Sequence, residues 1–334
     1  MSTINWLFEI NFAIFSVFFV LFVSELMGGV LLLLAYDATK AKVLPYLVPI
    51  WEVTGTFAAF WVVTGDFAYP DMLIPVATLL AGLIMVFLIL FVLRNASITF
   101  AELILKTGRI SEKRLYQLFG LATLGIAVSV LIVLSAIISG AGVNLVTMTF
   151  SLWGWATAAG SLPYLLGVVL IAVGLAPVFY DIAPLRRLSL PFTLVGVAVE
   201  AGALYLYSSS FLSGWFAIPA LFTIVASLLY QFRTTAPIVT NKLIFAIVGT
   251  VIVFALSYLV YPTAFHSATG GPLSVDSVTT SGPMVGAFYV LTGVGIVVVG
   301  MLMSLYMLTV WRSARKRVAA AAAAPPKAPA VHNP

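Results

Sequence analysis

Three glutamates stand inside apolar stretches of the sequence, where an acidic side chain is costly and therefore informative. Glu25 lies in "SELMGG", Glu52 in "PIWEVTGTF" and Glu200 in "VAVEAGALY". A charged side chain at the centre of a membrane helix costs at least ~2.5 kcal/mol, so such residues usually face protein and act in ion or proton transfer. We therefore interpret Glu52, Glu25 and Glu200 as proton-relay candidates. The alternative is a protonated carboxyl that only hydrogen-bonds to a neighbouring helix.

The surrounding sequence indicates that membrane-spanning helices position these carboxyls. Hydrophobic residues make up 62% of the 334 residues, charged residues 8%, and the mean hydropathy is +1.15. A soluble domain carries about 25% charged residues. We therefore predict an all-α integral membrane protein of about nine transmembrane helices, since a span takes roughly 20 mostly apolar residues. The predicted spans are Trp6–Ala35, Leu44–Val63, Leu73–Leu93, Leu115–Ile138, Tyr164–Ile182, Leu190–Tyr207, Phe216–Phe232, Leu243–Tyr261 and Met284–Val310.

The basic residues predict the orientation of these helices. Under this assignment every Lys and Arg falls on one face, in the loops after alternate spans and after the last span. An excess of Lys and Arg marks the cytoplasmic side. We therefore expect the N-terminus outside, the C-terminus in the cytoplasm, and a multi-pass protein of the plasma membrane. The three glutamates would lie about 12–15 Å from the cytoplasmic ends of their spans, at 1.5 Å per residue. No Lys or Arg would lie inside a span to pair with them.

The chain is predicted to have two parts. Residues 1–311 form the polytopic transmembrane domain, and residues 312–334 hold a basic cluster and an Ala/Pro-rich cytoplasmic tail that we expect to be disordered. The basic cluster suits contact with lipid headgroups better than nucleic-acid binding. Between the third and fourth spans, "RNASITFAELILKTGRISEKR" is compatible with a short amphipathic helix on the inner surface.

The residue types exclude several kinds of site. There are no cysteines, so disulfides and thiolate metal sites are ruled out. The two histidines, His266 and His332, lie in a predicted outer loop and in the tail. A haem site inside the membrane domain therefore has no histidine ligand from this chain. No sequence motif of a soluble enzyme is present, and the glycines of "TGVGIVVVG" lie inside a span, where helix packing is the favoured role.

Two stretches, "PIWEVTGTFAAFWVVTGDFAYP" and "YPTAFHSATGGPLSVDSVTTSGPMVG", resemble subunit II of the cytochrome bd-type quinol oxidases. In the first stretch, Pro49, Trp51 and Glu52 follow the family's Pro-x-Trp-acid pattern, with Glu in place of Asp. The Gly-Asn pair that follows in the family is replaced by Val53 and Thr54. The second stretch is similar to the family's aromatic-Pro pair, polar loop and acidic Ser-rich segment.

In the second stretch, Tyr261 and Pro262 stand for the aromatic-Pro pair and Asp276 for the acid. The "SELMGG" stretch around Glu25 is similar to a family segment with two acids, of which the second is missing here. These partial motifs spread over most of the chain. They identify it as a distant member of the family, for which an archaeal source is one interpretation.

The resemblance implies a subunit of a terminal oxidase that oxidises quinol and reduces dioxygen to water. In that family subunit I ligates the haems and subunit II packs against it. The chain would then ligate no cofactor and would not be catalytic alone. Its expected partners are the haem-bearing subunit I, membrane lipid and quinone, with no nucleic acid. Glu52 and Glu25 would contribute to proton uptake from the cytoplasm.

Two alternatives remain open at this point. A proton-coupled membrane transporter also uses carboxyls within its spans. Transporters often contain helices broken by Gly or Pro in matching places of two halves. Here most prolines lie near predicted span ends and only Pro177 lies well inside one, which weakens that alternative. The second alternative is a purely structural membrane anchor, whose glutamates serve only contacts between helices.

Overall fold

A computed structural model of the protein describes residues 6–104, 111–207, 212, 214–232, 241–264, 284–301, 304 and 308. Its helices are α1 Trp6–Ala68, α2 Pro70–Leu79, α3 Ala81–Thr99, α4 Glu112–Ser139, α5 Leu152–Ala156, α6 Ser161–Tyr180, α7 Arg186–Tyr207, α8 Gly214–Gln231, α9 Lys242–Ala264 and α10 Met284–Met301. Six helices within the described ranges are long and apolar enough to cross a membrane. The prediction of an all-α membrane protein is thereby confirmed.

The chain forms two compact units, Met1–Tyr289 and Val290–Pro334. In the second unit the structure describes α10 as far as Met301 and two further residues, 304 and 308. The predicted basic cluster and Ala/Pro-rich tail, residues 312–334, lie outside the described residues. All sites discussed below belong to the first unit.

Helix α1 folds back on itself as an antiparallel hairpin. Ala35 alone leaves the helical conformation, with φ −144° and ψ 49°, and separates a first arm, residues 6–34, from a second arm, residues 36–68. The Thr39 hydroxyl donates to the Ala35 carbonyl oxygen at 2.8 Å. At the far end, Asn11 Nδ2 donates to Thr64 Oγ1 at 3.0 Å. The prediction of a loop between Ala35 and Leu44 is therefore wrong. The chain turns at one residue, and the second arm is helical from its start.

The predicted end of the third span is also wrong. Helix α3 continues past Leu93 to Thr99, and a wide helical turn carries it on to Ile104. Residues 94–104 contain no Gly or Pro, so the helix continues beyond Leu93, where the apolar run ends. The segment that was expected to form a separate amphipathic surface helix is therefore, as far as Ile104, the end of α3 and its wide helical turn. Residues 105–110 lie outside the described residues.

One segment between helices has structure that the sequence analysis did not predict. Between α4 and α5 the strands β1, Val143–Asn144, and β2, Thr149–Phe150, pair as a short antiparallel hairpin. Helix α5 then places Trp155 in the interior, where its Nε1 donates to Ser135 Oγ at 2.7 Å. This hydrogen bond fastens the connecting segment to α4.

Helices α6 and α7 pack closely because glycines line their interface. A Cβ added at Gly196 would lie 2.7 Å from the backbone nitrogen of Ile171, and one at Gly174 would lie 2.7 Å from the backbone nitrogen of Thr193. Both atoms belong to backbone, which cannot move aside as the end of a side chain can. Small residues at such positions let membrane helices approach each other closely.

We expect Gly196→Ala to lower the free energy of unfolding by about 1–3 kcal/mol, the usual cost of overpacking. Gly202→Ala on the same helix is the matched control, because a Cβ there would meet no atom within 4 Å. Alanine stabilises a helix by up to about 1 kcal/mol relative to glycine, so the control variant should be as stable as the wild type or more stable. Thermal unfolding of the solubilised protein measures both variants. Equal stability of the two variants would show that the α6–α7 interface is not tightly packed.

Candidate functional site

Glu25 is buried in an ion pair with Arg94. Neither residue is accessible to solvent by more than 1% of its surface. Arg94 Nε donates to Glu25 Oε1 at 2.5 Å, and Arg94 Nη2 also contacts this oxygen. Arg94 Nη1 donates to Asn95 Oδ1 at 2.8 Å. The expectation that no basic residue lies inside a span to pair with the glutamates is therefore wrong for Glu25.

Two aromatic rings hold the Arg94 guanidinium in place. Its Cζ lies 5.5 Å from the ring centroid of Phe91 and 5.7 Å from that of Phe119. Attraction between a cation and the face of a ring strengthens where water is excluded. The second arm of the α1 hairpin contributes Thr54, which lies against the Glu25 carboxyl. The ion pair thus joins the two arms of α1 to α3, and Phe119 adds α4.

A buried cluster of apolar and tyrosine side chains lies between this ion pair and the end of the bundle where the α1 hairpin turns, here called the Ala35 end. Leu31, Ile98 and Phe119 belong to one buried cluster and stand one to two helical turns nearer that end. A proton path requires polar groups or water at each step. Polar groups near Glu25 include the Tyr180 hydroxyl, which donates to the Ser24 carbonyl oxygen at 2.9 Å, and the Tyr46 hydroxyl, 3.2 Å from Ser24 Oγ. The ion pair with Arg94 is what gives Glu25 a structural role, and its Oε2 accepts no hydrogen bond within the described part of the chain.

Glu52 lies on the outer surface of the second arm, midway along it and about 24 Å from either end. Thr54 points into the interior. Side chains two positions apart on a helix, such as Glu52 and Thr54, differ by about 200° in direction. Glu52 therefore faces away from Glu25, and the structure does not bring these two candidates together. The Thr54 and Thr56 hydroxyls donate to the carbonyl oxygens of Ile50 and Glu52, at 2.9 and 3.0 Å.

The face that carries Glu52 differs from a lipid-facing surface. Val63, eleven positions after Glu52 and on nearly the same side, is 41% exposed. Beside it are four exposed residues that recur every seven positions along the second arm: Pro45, Glu52, Ala59 and Asp66. We call these four residues the acidic stripe. By contrast, the exposed face of α3 consists of large apolar side chains, namely Met85, Val86, Leu88, Ile89 and Val92. Acyl chains suit the α3 face. The two carboxyls of the acidic stripe require a polar or protein environment.

Glu200 occupies a third, separate environment. It is 7% exposed, and its Oε2 accepts no hydrogen bond among the described residues. Gly167 on α6 makes room for the carboxyl, because a Cβ there would lie 2.7 Å from Glu200 Oε2. Its neighbours are Tyr164 and Tyr207, whose ring centroids are 5.9 Å apart. Glu200 therefore lies in a polar cluster between α6 and α7, with neither Glu25 nor Glu52 among the neighbours that the structure describes.

The depth predicted for Glu200 also changes. Helix α7 begins at Arg186, before the predicted Leu190. At 1.5 Å per residue, Glu200 lies about 21 Å from Arg186 but about 10 Å from Tyr207. Tyr207 in turn lies next to Ser161 and Ser135. Glu200 is thus nearer to the end of the bundle opposite Ala35, and the predicted common depth of the three glutamates is wrong.

Polar contacts at the Ala35 end were not predicted from the sequence. The Tyr36 hydroxyl donates to Glu112 Oε1 at 3.0 Å, and the Tyr116 hydroxyl donates to Glu102. Lys113 Nζ and Asp37 Oδ2 form an exposed ion pair at 2.6 Å. The Tyr36–Glu112 and Lys113–Asp37 contacts connect the hairpin turn of α1 to α4, and the Tyr116–Glu102 contact connects α4 to the end of the α3 rod. Hydropathy alone could not reveal them, because they join residues far apart in the chain.

The other family-motif residues are placed as follows. Pro49 and Trp51 lie in the second arm, and Trp51 packs against the buried cluster at the Ala35 end. Tyr261 and Pro262 lie in the last turns of α9, where the structure describes the backbone. Asp276 lies outside the described residues. In the part of the chain that is described, no group of three His, Cys, Asp or Glu side chains is arranged to hold a metal ion.

No protein-family model matches the sequence. No curated protein sequence matches it either. Among solved structures, a chain of the bd oxidase from Geobacillus thermodenitrificans aligns with 90% of this chain and 96% of its own length. The TM-score is 0.58 and the sequence identity 18%. At this identity the similarity concerns the fold. The chain is thus an all-helical membrane protein with the fold of a bd oxidase chain.

Proposed function

We propose that this chain is the non-haem-ligating membrane subunit of a bd-type or bd-like terminal quinol oxidase. It packs against a haem-bearing subunit I, stabilises that subunit and contributes a step of proton uptake. The complex oxidises quinol and reduces dioxygen to water, and this chain is not catalytic alone. The shared fold supports the proposal, together with the partial motifs around Glu52 and Asp276.

The observation that carries the proposal is the acidic stripe. An exposed carboxyl midway along a membrane helix would be costly in contact with acyl chains, at least ~2.5 kcal/mol if charged. Cover by a second protein removes that cost and gives Glu52 polar neighbours. We therefore assign the face with Pro45, Glu52, Ala59 and Asp66 to the contact with subunit I.

Glu52 is then the proton-relay residue of this chain. At the subunit contact a protonated carboxyl is tolerated, and it can pass its proton to groups of the partner. Glu25 serves the relay only indirectly, by fixing the second arm through Thr54 and α3 through Arg94. Glu200 belongs to a different polar cluster and is not part of this route.

The proposed topology keeps nine spans, with the N-terminus outside and the C-terminus in the cytoplasm of a plasma-membrane protein. The two arms of α1 and the unit formed by α2 and α3 supply the first three spans. The other six are α4, α6, α7, α8, α9 and α10. The Ala35 end, where Lys40, Lys42, Lys113 and Arg114 lie, is then cytoplasmic by the distribution of positive charge.

We expect the chain purified alone to show no haem absorption, because both histidines lie outside the predicted spans. A complex isolated gently from membranes through a tag on this chain should show haem absorption and quinol-driven oxygen consumption. Absorption spectra of the two preparations provide the measurement. Haem bound stoichiometrically by the isolated chain would contradict the proposed role, and a native complex without any haem protein would favour a proton-coupled transporter.

A further inference from the structure

A polar cavity lies where α6 passes into α7 at the Ala35 end. Helix α6 ends at Tyr180, Asp181 adopts a left-handed conformation with φ 52°, and a short turn, Ala183–Leu185, leads directly into α7. The cavity has a volume of about 400 Å³. It is lined by Ala183, Arg186, Arg187 and Gln231, so the first turn of α7 and the last turn of α8 form its walls.

The charge around this cavity is positive. Asp181 is the acidic residue in the turn, and its Oδ2 is already paired with Lys42 Nζ at 2.8 Å. Lys242 adds a further cation, with Nζ 5.6 Å from the ring centroid of Tyr180. None of the ion pairs formed among the described residues involves Arg186 or Arg187. Arg186 contacts the Tyr230 hydroxyl, and its other donors and those of Arg187 are available to an anion.

The side chains of the cavity are held in place with unused hydrogen-bonding groups. The Arg186 Cζ lies 4.8 Å from the ring centroid of Tyr230, which is almost fully buried. Arg186 Nε and Gln231 Oε1 are buried but make no hydrogen bond of normal geometry with any described residue. Leaving such groups unsatisfied is costly, so a ligand with both acceptor and donor groups would stabilise this arrangement.

The surface beside the cavity is apolar. Leu188 follows the two arginines on α7 and is 48% exposed, and Leu228 on α8 is 39% exposed. Phe232, next to Gln231, is 70% exposed. A ligand with an anionic head and an apolar tail matches both surfaces. The planar fork of an arginine fits the oxygens of a phosphate better than a lysine does.

We propose that the cavity formed by Ala183, Arg186, Arg187 and Gln231 binds the phosphodiester headgroup of an anionic phospholipid. Its acyl chains lie along Leu188, Leu228 and Phe232. The Gln231 amide contacts the polar part of the headgroup beyond the phosphate. Basic pockets between helices at the cytoplasmic surface are suited to such lipids. The binding site shares no residue with the acidic stripe, so the proposal does not rest on the proposed contact with subunit I.

The test compares lipid binding by the protein in its native complex and by two double variants. Arg186→Gln/Arg187→Gln removes the guanidinium groups of the cavity. Lys40→Gln/Arg114→Gln removes two exposed charges from the same end of the bundle and serves as the matched control. Binding of phosphatidylglycerol is measured by native mass spectrometry over a range of lipid concentrations. Phosphatidylcholine and inorganic phosphate are the comparison ligands.

The cavity variant should bind phosphatidylglycerol at least about tenfold more weakly, since it loses charge-assisted hydrogen bonds. The control should bind it as the wild type does. Equal losses in both variants, or equal binding of phosphatidylcholine, would overturn the proposal, and displacement by inorganic phosphate would assign the site to free phosphate. If the cavity variant does not assemble, the single variants Arg186→Lys and Gln231→Leu are measured in its place. Each should weaken phosphatidylglycerol binding, and unchanged binding in both would refute the site.

Discussion

Replacing Arg94 with methionine should lower the free energy of unfolding by about 3–5 kcal/mol, because the change leaves the Glu25 carboxylate buried without its counter-charge. The pair is sealed from solvent, and Arg94 Nε lies 2.5 Å from Glu25 Oε1. The effect should appear as a large drop in the thermal unfolding temperature of the solubilised protein. We also expect less of the variant in membranes, since much of the stability of an ordinary domain would be lost.

Two further variants separate the ion pair from a general loss of packing. The double variant Glu25→Gln/Arg94→Met should recover much of the lost stability, since neither new side chain carries a charge. Lys113→Met is the matched control, because it breaks the exposed pair with Asp37. An exposed pair contributes about 0–1 kcal/mol. If Arg94→Met is no more destabilising than Lys113→Met, the buried pair does not hold α1 and α3 together.

Replacing Glu52 with glutamine should leave assembly and haem content unchanged but slow quinol-driven oxygen consumption. Glutamine keeps the shape and hydrogen bonds of the side chain but cannot release a proton. A positioned proton-transfer group contributes about 100-fold or more to the step that it serves, so a loss approaching this size is expected where proton supply limits turnover. The defect should grow as the pH rises, because fewer protons then reach the complex from the cytoplasm.

Glu52→Asp should retain much of the activity, since the family that the sequence resembles has Asp at this position. Asp66→Asn is the matched control. It makes the same chemical change on the same acidic stripe, near the end of the second arm, and should leave turnover unchanged. Normal turnover in Glu52→Gln would reduce Glu52 to a polar contact of the subunit interface. Loss of the assembled complex would assign it a structural role there.

The sequence predicted the all-helical membrane architecture but not where the helices end. Hydropathy marks the limits of an apolar run, whereas a helix continues until a residue or a turn interrupts it. Arg94 was for this reason predicted to lie in a loop, although it belongs to α3 and faces Glu25. The two residues are 69 positions apart. Only the packing of α1 against α3 shows that they meet.

The outward direction of Glu52 follows from the spacing of buried residues in the second arm. Val43, Leu47, Ile50 and Thr54 recur at intervals of three and four and form the buried side of the second arm. Glu52 lies on the opposite side of that pattern. For Glu200, in contrast, the sequence pattern could not show the room that Gly167 leaves on the facing helix. That space depends on the register between α6 and α7.

The one-residue turn of α1 also bears on how the protein enters the membrane during synthesis. With a single non-helical residue at Ala35, the two arms are too closely joined to insert as independent rods. We therefore expect them to enter as a pre-paired unit, in which Asn11 donates a hydrogen bond to Thr64. Glu25 enters with this unit and meets Arg94 only once α3 has been made. Until the segment that becomes α3 has been translated, the Glu25 carboxyl of the newly made hairpin therefore has no counter-charge.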